Sequence, residues 1–106
     1  MASEAYLYRF LDDVPLEEVE AQLLLATAAV ESLHGESRTR LDAAHCLDTL
    51  KRACMIDAST EVGRHLNQVF AGFLLREFGG NAFEVERVDR SMRPDPPSGH
   101  SPFHWN

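Results

Sequence analysis

Between Arg38 and Val88 the apolar residues pass from alternation to a three-to-four-residue repeat and back again. This succession constrains the fold more tightly than any single residue does. Alternation sends successive side chains to opposite sides of an extended strand, whereas recurrence at i, i+3, i+4 lines one side of a helix. Ahead of that region lie Tyr6-Leu7-Tyr8-Arg9-Phe10 and a long amphipathic stretch from Pro15 to Leu33. The aromatic run is rich in strand formers. The expected order is therefore strand, helix, strand, strand, helix, strand.

Two strand-helix-strand units whose inner strands form a hairpin describe an α+β, ferredoxin-like βαββαβ arrangement. It has a four-stranded antiparallel sheet with two helices on one face. If the residues before Pro15 formed a loop, a three-stranded sheet would remain, but Tyr6 to Phe10 argue for the fourth strand. The 106 residues suit one domain. We place it at 1-89 and read 90-106 as an extended tail, because Pro94, Pro96, Pro97, Gly99 and Pro102 crowd that end.

Local signals mark the element ends. Asp12 and Asp13 can cap the first helix, Pro15 suits its first turn, and Glu17 and Glu18 complement its positive end. Leu16, Val19, Leu23, Ala26, Val30 and Leu33 form its core stripe. Gly35 ends it, and Arg38 to Leu47 reads as extended. Asp48-Thr49-Leu50 makes the turn into a strand from Arg52 to Ile56. Asp57 or Ser59 can cap the second helix, whose stripe is Val62, Leu66, Val69, Phe70, Phe73 and Leu74. Gly79-Gly80 stops it before a last strand from Ala82 to Val88.

Strand parity then assigns faces. An unpaired arginine is costly to bury, so Arg9 turns away from the helices together with Leu7 and Leu11, and Tyr6, Tyr8 and Phe10 turn inward. Glu84 and Glu86 fall within cross-strand reach of Arg9. Phe83, Val85, Ile56 and Cys54 are expected inside, and Ala44, Cys46, Ala53 and Met55 outside. The sheet thus shows a bare face with an apolar middle and a charged rim. The first helix adds Ala21, Leu24, Leu25 and Ala28 on the side opposite its core stripe, so it too needs cover.

Charge and motifs narrow the chemistry. A formal charge of -7, with basic residues scattered among acidic ones, disfavours nucleic acid as a partner. No apolar run is long enough to span a bilayer and the N-terminus lacks a secretory pattern, so a soluble, cytoplasmic protein without a membrane partner is expected. Cys46 and Cys54 are expected as thiols. No phosphate-binding loop or nucleophile motif is present, since Gly79-Gly80 follows a helix rather than preceding one. His34 and His65 fall on helix flanks. His45 has inward parity beside Cys54 and is read as a hydrogen-bonded core histidine or a pocket residue. A zinc set from Cys46, Cys54, His100 and His104 lacks the usual spacing, and its thiols point to opposite faces. No catalytic residue, metal or cofactor is assigned.

These features lead to a small non-enzymatic interaction or regulatory module that self-associates as a homodimer or binds another protein. Its contact residues are drawn from Leu24, Leu25, Leu7, Leu11, Met55, Phe103 and Trp105, the last two anchoring the tail. The alternative is a small-molecule-binding domain or small enzyme with a pocket between sheet and helices near His45 and Tyr8.

Overall fold

A computed structural model describes residues 4–89. The elements are β1 (Glu4–Phe10), α1 (Leu16–His34), α2 (Glu36–Asp42), β2 (His45–Asp48), β3 (Ala53–Asp57), α3 (Glu61–Phe78) and β4 (Phe83–Asp89). The strands form one open antiparallel sheet in the order β2-β3-β1-β4. The class is α+β with three helices, so the two-helix ferredoxin-like βαββαβ order is corrected to βααββαβ.

The additional helix occupies the start of the stretch expected to be extended from Arg38. Its sequence, Glu-Ser-Arg-Thr-Arg-Leu-Asp, carries no apolar repeat. Its support is polar: Arg40 pairs with Glu36 at 2.7 Å, and Arg38 with Asp42 at 3.3 Å, each one helical turn apart. Thr39 is buried, and its hydroxyl donates to the Gly35 carbonyl at 2.8 Å. Only His45–Asp48 remains as strand.

Helix ends follow backbone geometry more than side-chain capping. Pro15 precedes α1 and no side chain caps that end, so Asp12 and Asp13 do not have the capping role expected of them. Gly35 and Gly79 close α1 and α3 at φ of 89° and 85°, the left-handed region that favours glycine. Thr60 caps α3 by accepting from the Gly63 amide at 2.9 Å, in place of Asp57 or Ser59. Asp57 instead accepts from the Ser59 amide at 2.8 Å. Gly63 lets α3 start against the end of β3, because a Cβ there would stand 2.1 Å from the Asp57 carbonyl oxygen.

The main core lies between the sheet and the two long helices. Tyr8, Phe10, Cys54, Ile56 and Phe83 from the strands meet Val19, Leu23, Ala26 and Val30 of α1 and Val62, Leu66, Phe70 and Leu74 of α3. Tyr8 packs edge-on to Phe70 with ring centroids 5.1 Å apart. Parity is largely as expected, with two inward positions corrected. Val85 opposes Tyr8 yet is 45% exposed, because β4 is an edge strand. Leu33 continues the α1 stripe but is 70% exposed in the helix's last turn.

Candidate functional site

Two surfaces stand out. On α1, Ala21, Leu24, Leu25 and Ala28 lie on the side opposite the buried residues, and all four are exposed, Leu24 by 65% and Leu25 by 57%. Glu17, Glu18 and Glu20 lie around one end of this stripe, and Glu31 lies near the other. The result is an apolar ridge inside an acidic border.

The second surface is the sheet face turned away from α1 and α3. Its rows follow from the register: Cys46, Met55, Leu7 and Glu86 in one, Asp48, Ala53, Arg9 and Glu84 in the next, and Asp57, Ala5 and Val88 in the third. Arg9 reaches Glu86 at 2.8 Å, as expected, and both side chains remain more than half exposed. The middle is different. Ala5, Leu7, Ala53 and Met55 are buried and form a second cluster with Cys46 and Val88 at its margin. The bare apolar middle read from parity is therefore corrected: its residues have the expected orientation but are shielded from solvent. Leu11 lies just beyond β1 and is half exposed, while Phe103 and Trp105 lie outside the described residues.

The pocket residues do not meet. Tyr8 is fully buried and its hydroxyl donates to Asn67 Oδ1 at 2.5 Å. Burial, with Cys54 nearby, holds that phenol above its ordinary range. His45 opposes Ile56 rather than Cys54, and on the edge strand it is exposed rather than a core residue. It borders a groove of about 300 Å³ with Glu20, Leu23, Leu24, Cys46 and Leu47. Desolvation by the groove lowers its pKa from 6.5, although the residue as a whole remains solvent-accessible. The thiols are free and on opposite faces. Burial raises Cys54 to about 12, and raises Cys46 with help from Asp48.

Sequence reasoning missed two further constellations. His34 and His65 stack across α1 and α3, with Nε2 and Nδ1 2.7 Å apart. Each lies on a helix flank in the sequence, and only the packing of α1 against α3 brings the two rings together. A groove of about 600 Å³ lies between the β1–α1 loop and the β2–β3 turn, lined by Asp12, Asp13, Glu17, Glu20, Thr49 and Arg52 among others. Arg52 is its structural tie. Its backbone is left-handed at φ 52°, and its Nη2 donates to the Leu11 and Val14 carbonyls, each at 2.5 Å. Its Nε lies 3.8 Å from Asp12 Oδ1. Nothing in the strand pattern marks this role.

Among the described residues, no helix is long and apolar enough to cross a membrane. Fold and surfaces together define a small α+β domain with an open antiparallel sheet and an apolar, acid-bordered helix ridge. No family model matches the chain, and no curated protein or solved structure matches it.

Proposed function

We propose that this chain is a small non-enzymatic interaction module that self-associates through the outer ridge of α1. The observation that carries the reading is the contiguous exposure of Leu24 and Leu25 between Ala21 and Ala28. Small residues flanking leucines let two such helices approach closely, and a twofold arrangement covers both ridges with one contact. The role this implies is a cytoplasmic, cofactor-free accessory or regulatory subunit.

Sedimentation velocity at micromolar concentration tests it, with a dimer expected. Burying a leucine contributes about 1.5–3 kcal/mol. Leu25→Glu, which removes one per protomer, should then weaken the dimer by at least about a hundredfold. A wild-type monomer, or a variant that dimerises as well as wild type, overturns the reading. The acidic borders repel each other in a self-complex, so added salt strengthens self-association. A basic partner on the same ridge would instead bind more weakly as salt rises.

The small-molecule alternative near His45 and Tyr8 has less support. The Tyr8 hydroxyl is engaged by Asn67, and the groove beside His45 is lined by residues of α1 and β2 without Tyr8.

A further inference from the structure

His34 lies in the last turn of α1 and His65 one turn into α3, and both are half-buried where the end of one helix meets the start of the other. His34 Nε2 and His65 Nδ1 stand 2.7 Å apart. Two nitrogens that close need one proton between them, with one ring donating its N–H and the other presenting a lone pair. A neutral imidazole has one nitrogen of each kind, so a neutral pair meets the requirement. A pair with one extra proton meets it too, with the charge on the donor ring, and the bond is then stronger. A second extra proton turns both facing nitrogens into donors, and the bond gives way to repulsion between two cations.

The surroundings do not offset that second charge. Neither ring is in an ion pair among the described residues. Glu31 lies one turn before His34 on α1, and Glu61 one turn before His65 on α3, where Arg64 adds a positive charge. On α2, Glu36 is paired with Arg40, and Arg38 lies 3.3 Å from Asp42 and 3.8 Å from Glu61. Glu31 is thus the one carboxylate of these four without an arginine, enough to offset a first added proton and not a second. We infer that His34 and His65 form a proton-operated clasp between the end of α1 and the start of α3, closed with one added proton or none and opened by the second. Opening frees the last turn of α1 and loosens α2, which follows directly after Gly35. Two contacts then tie α2 to the start of α3: Arg38 to Glu61, and the Thr60 hydroxyl, which donates to the Asp42 carbonyl at 2.8 Å. The clasp is independent of the self-association assigned to the α1 ridge.

The test uses the full chain between about pH 8 and about pH 4, which brackets the range in which histidines change charge. Ring-nitrogen NMR, with each histidine assigned through its own backbone, should show His34 and His65 taking up protons as a coupled pair. The second step should need at least about tenfold more acid than the first. In His34→Gln or His65→Gln the remaining ring should titrate in a single step. Amide exchange, corrected for its intrinsic dependence on pH, should rise at least about tenfold across residues 31–42 over the second step and stay unchanged in β1 and β3. The His34→Gln/His65→Gln double variant, which keeps His45 and every carboxylate, should lack that rise. Two rings that titrate independently in the wild-type chain overturn the proposal whatever the variants do. The same rise in the double variant also overturns it and assigns the loosening to the carboxylates. Protection lost throughout the sheet at the second step overturns it in favour of global unfolding.

Discussion

The two faces of the sheet are built by the same strands yet are buried by different means. On the helix side, large side chains share one cluster: Tyr8 of β1 and Leu66, Phe70 and Leu74 of α3 are all fully buried there, together with residues of α1 and the other strands. On the opposite side the cluster is mostly small residues around Leu7 and Met55, inside a border of charged side chains. The contrast teaches that parity orients a residue, whereas burial depends on what lies above it. A face can have the apolar pattern of a core with no helix of its own.

The largest expected effect tests the helix side. Phe70→Ala removes a ring packed against Tyr8, and should cost about 3–5 kcal/mol in denaturant unfolding. A loss below about 1 kcal/mol would mean that this side is not the dominant core. Met55→Ala is the sharper probe, because it measures whether the opposite face behaves as a second core. With the methionine as buried as the structure has it, the loss should be about 2–4 kcal/mol. On a sheet face open to water the same change would cost a fraction of that, and the contrast between the faces would be one of exposure after all.

The smallest effect belongs to His45 at the sheet's edge. Its folded pKa lies below the ordinary value of 6.5, so the folded state favours the neutral ring. Above that value both states are neutral and the residue has no effect. As pH falls through 6.5 toward the lowered folded value, the unfolded chain takes up the proton first and stability declines. His45→Gln should flatten that part of the acid limb in a pH series of melts. An unchanged slope would show that the groove does not desolvate the ring.

Much of the fold was legible because it rests on periodicity. The parity of β1, the Arg9–Glu86 pair, the buried stripes of both long helices and the glycine stops all follow from residue spacing and φ preference. What escaped depends on tertiary context. Helix α2 has no apolar repeat and is held by ion pairs along its own surface and a buried threonine, so a pattern search reads it as extended. Leu33 fits the stripe and still meets water at the end of α1. Of the candidate contact residues, the exposure of Leu24 and Leu25 could be read from helical phase alone. The shielding of Leu7 and Met55 could not be, since alternation carries no information about the layer above a sheet.

Arg52 leads to one more consequence. At φ 52° the conformationally easier residue would be glycine, because a left-handed non-glycine backbone costs about 1–2 kcal/mol. Glycine would, however, sever both bonds to the Leu11 and Val14 carbonyls. The β2–β3 turn and the β1–α1 loop, far apart in sequence, are thereby latched together by a single guanidinium. A ligand or partner approaching the acidic groove therefore meets two walls that share one side chain, and whatever displaces the Arg52 guanidinium releases both at once.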